Sequence, residues 1–248
     1  MLLFDVGNTE VKMGIVVNNE IILKYRFTTN PNISDDEFYL LIHPLIDKYI
    51  FKKIAISSVV PKVTMMLRDL SKKRFFIEPL ILAPGVKTGL KIIADNPQEV
   101  GADIISASVK ASDYAKHVLV IDLGTAIKYI YVSNNTLKGV VISPGVEISM
   151  KALTENTALL PNFEVKIPKK VLGSNTIECM QSGITYGIAS QIDGMIEWIK
   201  EEVNQDFKVI FTGGLAQTIR PLIKHESIYE EHLVLEGLLK IIEKNEPR

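Results

Sequence analysis

The chain has 248 residues, 47% of them apolar and 23% charged, with a formal net charge of −1. That length buries a sizeable core as two small domains or one large one, and the composition is that of an α/β protein. A near-zero charge without a basic block argues against a nucleic-acid partner, and no apolar run reaches the roughly 18–20 residues of a membrane helix.

The start is apolar with no basic lead, so it reads as a strand and not as a signal peptide. The single cysteine, Cys179, has no internal disulfide partner and suits a reducing compartment. A cytoplasmic, membrane-free protein is expected.

Met1 to Phe4 is an apolar strand that enters Asp5-Val6-Gly7-Asn8-Thr9-Glu10-Val11-Lys12, and Met13 to Val17 is the strand that leaves it. Gly7 is expected to take a turn conformation closed to other residues and to admit a ligand to the backbone. Asn8 and Thr9 add short donors beside exposed amides, the chemistry of a phosphate cradle. Asp5 is placed to hold a hydrated Mg²⁺, which prefers one or two carboxylates plus phosphate oxygens. As structure alone, the same residues make a hairpin turn.

Asn18-Asn19 signals a second turn into a strand from Ile21 to Phe27. Ser34, followed by three acids, caps a helix expected to reach about Tyr49. Lys53 to Val60 reads as a buried strand, Pro61 opens a helix, and Ile77 to Leu82 reads as a further strand. Asn96-Pro97-Gln98-Glu99 looks like the cap of one helix running to about Tyr114, with Asp103 in its second turn.

The sequence then repeats itself. Phe4-Asp5-Val6-Gly7 matches Ile121-Asp122-Leu123-Gly124, Val11-Lys12-Met13 matches Ile127-Lys128-Tyr129, and Asn18-Asn19 matches Asn134-Asn135. A repeat of this length implies two similar domains facing one another, placed at 1–115 and 116–248. Ser143-Pro144-Gly145, a helix from Val146, a loop at Thr157 to Pro161 and a long helix capped by Asn175-Thr176 follow. Val209 to Phe211 is a strand opening into Thr212-Gly213-Gly214, a ligand-approach turn or simply a helix entry, and Val234 to Glu243 is the last helix. Cys179 reads as a small core residue. His43, His117, His225 and His232 lack ligand spacing and read as structural or surface residues.

Two Asp-x-Gly halves with a late Thr-Gly-Gly resemble the actin, sugar-kinase and heat-shock chaperone ATPase superfamily. Within it the chain is most similar to type III pantothenate kinases. The resemblance runs through Asp5–Thr9, Pro84–Gly89, Asp95–Asp103, Asp122–Ala126, Ser143–Gly145, Thr157–Pro161, Asn175–Gly183 and Thr212–Ala216. It implies two duplicated ribonuclease H-like domains facing across a nucleotide cleft. It also implies transfer of the ATP γ-phosphoryl group to pantothenate by a homodimer. By position, Asp5, Val6, Gly7, Asn8, Thr9, Glu10, Val11 and Lys12 would form the first phosphate site, with Thr125 in the second and Gly213 and Gly214 beside the adenosine. Asp103 would be the general base. Ala94, Gly101, Ala102, Ile104 and Thr176 occupy the pantothenate positions. Asp122 would hold a monovalent cation, K⁺ or NH₄⁺, and Asp5 would stand near Mg²⁺.

Three places depart from the family pattern. Ile104 replaces an arginine whose charge-assisted hydrogen bonds would be worth roughly 1.5–3 kcal/mol. Ala94 replaces a tyrosine, and Ile127, Lys128 and Ile130 replace Thr-Thr-x-Asp. Lys128 reads as a solvated strand lysine or as a substitute for the missing positive charge. Two further readings remain open: a nucleotide-binding regulatory homologue that lost its acceptor site, and a polyphosphate-type phosphohydrolase, which would want a more basic channel.

Overall fold

The computed structural model describes residues 1–157 and 159–245; Ala158, in the expected Thr157–Pro161 loop, lies outside the described residues. The chain divides into two compact units, one of Met1–Lys110, Asn135–Leu137 and His232–Arg248, the other of Ala111–Asn134 and Lys138–Glu231.

The first unit opens with β1 (Leu2–Val6), β2 (Glu10–Val17) and β3 (Glu20–Thr28), then α1 (Asp35–Ile46), β4 (Ile54–Ser58), α2 (Pro61–Phe75), β5 (Leu80–Ile81), β6 (Lys91–Ile92) and α3 (Ala102–Ala111). Its sheet runs β3-β2-β1-β4-β5. β2 is antiparallel to β1 and β4 is parallel to it. Asn18 and Asn19 both take positive φ, 51° and 62°, the geometry of a tight hairpin turn. Ser34 and Glu37 close a capping box on α1, which stops at Ile46, short of the expected Tyr49. β5 is trimmed to two residues behind Pro79, which has no N–H for a ladder.

In the second unit the order recurs: β7 (His117–Leu123), β8 (Ala126–Ser133), β9 (Thr136–Pro144), α4 (Val146–Glu155), α5 (Thr176–Val203), β10 (Lys208–Thr212), α6 (Ala216–Ile219) and β11 (Ser227–Tyr229). The strands lie β9-β8-β7-β10-β11, the arrangement of the first sheet, with β7 antiparallel to β8 and parallel to β10. This is the expected duplicated ribonuclease H-like fold, and Asn134 and Asn135 repeat the positive φ of the first hairpin at 49° and 53°. α5 buries a stripe of Ile184, Ile188, Ile192 and Ile196, one turn apart, against Leu119, Ile121 and Phe211.

The last helix, α7 (Leu233–Lys244), belongs to the first unit, so the division differs from the 115/116 boundary that the repeat suggested. The reason lies in β1, whose residues are all buried. Leu2, Phe4 and Val6 face α1 and α2, whereas Leu3, with Ala55 of β4, packs against Leu235, Leu238 and Leu239 of α7. A central strand needs cover on both faces, and α7 supplies the second. It crosses α3 at Gly237, where a Cβ would run into the backbone of Ser106. Among the described residues no helix is long and apolar enough to cross a membrane.

Candidate active site

The first Asp-x-Gly turn joins β1 to β2 within the first unit. Gly7 N–H donates to the Glu10 carbonyl at 2.9 Å, and Thr29, just past β3, buttresses the loop from the side. Its hydroxyl donates to the Gly7 carbonyl at 2.7 Å and its N–H to the Thr9 carbonyl at 2.9 Å. Gly7 lies outside the left-handed region, which corrects the expected turn conformation. What it provides is room: a Cβ there would sit 3.3 Å from the Glu10 oxygen. Asn8 and Thr9 are exposed, Glu10 and Lys12 half-buried. Val6 and Val11 are buried in the core, so their side chains are closed to a ligand.

Asp5 is buried at 8% exposure. It faces Lys12 on β2 and Ser57 on β4 in register. The Ser57 hydroxyl is buried with no hydrogen-bond partner. A single carboxylate beside an unsatisfied hydroxyl fits Mg²⁺, which keeps most of its shell as water and phosphate oxygens. Among the described residues no group of three or more His, Cys, Asp or Glu side chains forms an all-protein metal site.

Asp103 stands at the start of α3. The single helix expected from Asn96 is two pieces: a 3₁₀ turn over Pro97–Glu99, then extended backbone at Val100 (φ −70°, ψ 121°) and a fresh start at Ala102. Asn96 caps the short turn, accepting from Gln98 N–H at 3.3 Å and donating to Glu99 at 2.7 Å. Asp103 therefore lies in the first turn of its helix, not the second, where the helix dipole favours a carboxylate. Its Oδ1 accepts from Ile104 N–H at 2.9 Å, and a Cβ on Gly101 would lie 2.5 Å from that oxygen. Glycine at 101 thus makes room for the carboxylate. The same Cβ would be 3.7 Å from Val59, whose N–H donates to the Val6 carbonyl at 3.0 Å. Through Val59 the start of α3 abuts the strand that carries the first turn.

Of the positions expected to contact pantothenate, Ala94 is exposed and Gly101 half-buried, while the side chains of Ala102 and Ile104 are turned into the core at 8% exposure each. Ile104 at this place in the family pattern packs inward.

The second turn, within the second unit, joins β7 to β8. Thr125 is half-buried and its carbonyl accepts from Gly145 N–H at 3.2 Å. A Cβ on Gly145 would drive into the carbonyls of Thr125 and Gly124, so Ser143-Pro144-Gly145 clamps this turn. Gly213 has φ 96°, and a Cβ there would be 2.5 Å from the Leu123 oxygen. Both facts demand glycine. Gly214 has nothing within 4 Å of its would-be Cβ. Asp122, expected to hold a monovalent cation, accepts from Lys128 Nζ at 2.6 Å. Lys128 is half-buried, so its reading as a solvated lysine is corrected.

Thr176 is exposed as the first residue of α5, capped by Asn175, which accepts from Glu178 N–H at 3.0 Å. Backbone and hydroxyl donors of Ser174 hold the Glu178 carboxyl below its usual range. Cys179 is exposed, not core, because it lies one position off the buried stripe that begins at Met180. His225 is anchored between Asp193 at 2.9 Å and Glu197 at 2.5 Å. Thr29, Ser57 and Val59 carried no motif; sheet register reveals Ser57, and hydrogen bonds reveal Thr29 and Val59.

Asp5, Lys12 and Asp103 thus belong to the first unit, and Asp122, Thr125, Thr176, Gly213 and Gly214 to the second. A family model for type III pantothenate kinase matches residues 1–198. The chain is 45% identical to a type III pantothenate kinase of Acholeplasma laidlawii, over 99% of both chains. It is 39% identical to one of Halalkalibacterium halodurans, again over 99% of both. The fold is shared with a crystal structure of a Baf-family protein from Campylobacter jejuni, at TM-score 0.64 and 22% identity, covering 99% of this chain and 98% of that one. The chain belongs to the type III pantothenate kinase family.

Proposed function

We propose that the chain transfers the γ-phosphoryl group of ATP to the primary hydroxyl of pantothenate, the first step towards coenzyme A, in the cytoplasm. Family membership across the full length carries this reading. Phosphoryl transfer asks for positioning and charge neutralisation more than covalent chemistry. Asp103 accepts the proton of the pantothenate hydroxyl as its oxygen bonds to the γ-phosphorus and the bond to the β-phosphate oxygen breaks. Its carboxylate is half-buried, oriented by Ile104 N–H and given room by Gly101, as a base within hydrogen-bond reach of its substrate requires.

Asn8 and Thr9, both exposed, hold phosphate oxygens together with Lys12. Asp5 holds Mg²⁺, which when bound supplies positive charge to the phosphate oxygens. Thr125 meets the nucleotide from the second turn, Gly213 and Gly214 flank its adenosine, and Gly101 and Thr176 meet pantothenate. The monovalent-cation role that the resemblance gives Asp122 does not fit its donor set, since a lysine ammonium already bonds the carboxylate. A second copy of the chain would cover apolar side chains left exposed in the second unit, among them Val171, Leu172 and Ile177. Sedimentation of the free protein as a monomer would refute that dimer.

The test is purified protein with ATP, Mg²⁺ and K⁺, with and without pantothenate, read by mass spectrometry. Phosphopantothenate that disappears in Asp103→Asn supports the reading. ADP released equally without pantothenate, or no product at all, overturns it.

A further inference from the structure

Asp122 and Lys128 are direct cross-strand partners in the antiparallel β7–β8 pair, so their side chains leave the sheet on one face. Lys128 Nζ lies 2.6 Å from Asp122 Oδ2, and the two side chains are only 18% and 16% exposed. This register is built into the hairpin, because Asp5 and Lys12 face each other in the same way in the first unit. A metal ion would have to take the Asp122 oxygen from a tethered ammonium and then stand beside a like charge in a poorly solvated place. The ammonium itself carries the charge of K⁺ and the N–H donors of NH₄⁺, and its tether keeps it at a high local concentration.

We infer that Lys128 replaces the monovalent cation at Asp122, so that this kinase works without K⁺ or NH₄⁺. The inference rests on the pantothenate kinase reading for its activity arm only. The positive charge is useful because catalysis of phosphoryl transfer is largely electrostatic, and a fixed side chain supplies it without waiting for an ion.

The experiment uses the whole protein with ATP, Mg²⁺ and pantothenate, at constant ionic strength, in tetramethylammonium, potassium or ammonium chloride. The wild type is expected to turn over at the same rate in all three. Lys128→Thr is expected to lose about 10²-fold in tetramethylammonium and to recover in potassium or ammonium. Lys128→Met serves the same purpose should the threonine variant not fold. Binding of thallium(I), a K⁺ surrogate, is followed in parallel by ²⁰⁵Tl resonance. It is expected in Lys128→Thr and absent from both the wild type and the Lys128→Thr, Asp122→Asn double variant.

A wild type that needs potassium, or that binds thallium as the variant does, overturns the inference. If no phosphopantothenate forms in any salt, the pantothenate reading fails, while the thallium comparison still decides the role of Lys128.

Discussion

The two Asp-x-Gly turns share a register and differ in what surrounds it. The first spans Gly7 to Thr9, is exposed at its tip, and is braced by the hydroxyl and N–H of Thr29. The second spans only Gly124 and Thr125 and is clamped by backbone, with Gly145 and Gly213 pressed against it too closely for any Cβ. The first turn leaves Asn8 and Thr9 exposed. The clamped one sets its acid against its own lysine. One hairpin plan thus carries the same acid–lysine register in two differently braced turns, and Asp103, proposed above as the base, belongs to the unit of the first.

The largest effect is expected where chemistry is assigned to the first unit alone. Asp103→Asn should lower phosphopantothenate formation about 10²–10⁴-fold while ATP affinity by calorimetry and the melting temperature hold. A parallel fall in ATP affinity would mean that this carboxylate holds the nucleotide and does not act as a base.

Next comes the clamp. Gly145→Ala pushes a methyl group into the Thr125 carbonyl and should cost about 1–3 kcal/mol in urea unfolding. A neutral result would erase the contrast between the turns.

A smaller effect separates the units by pH. Burial alone would pull the His225 imidazole down, but hydrogen bonds and charge from Asp193 and Glu197 outweigh it and hold the group above its usual value. Its stabilisation is full below the unfolded imidazole value of about 6.5 and is lost as pH rises through the higher folded value. Melting curves of wild type and His225→Asn should therefore differ most near pH 6 and converge in alkali. A gap that widens with pH would reverse the sign.

The smallest is Gly7→Ala. With ordinary φ and one oxygen at 3.3 Å, stability should move by no more than about 1 kcal/mol. A cost equal to that at Gly145 would make the first turn a clamp as well.

Local signals survived folding where one residue type meets one backbone need. All four hairpin asparagines take the left-handed conformation, and Ser34 with Glu37 forms the capping box its spacing announced. The break before Asp103 was hidden because Asn96-Pro97 is an equally good cap for a 3₁₀ turn, and nothing local says where that turn ends. Cys179 was misplaced by one position, which on a helix is about 100° of rotation. Thr29 could not be found at all, since its partner lies 22 residues away and is a carbonyl. Lys128 is intermediate. Alone it looks like a solvated lysine, but the repeat aligns it with Lys12, and strand register then sets it opposite Asp122.

The return of α7 to the first unit orders events at the ribosome. β1 precedes α7 by the whole second unit, so the apolar face carrying Leu3 and Ala55 gets its lid only when Leu235 to Leu239 have emerged. The nascent first unit must wait with that face uncovered while the whole second unit is synthesised, an interval in which exposed apolar surface favours aggregation.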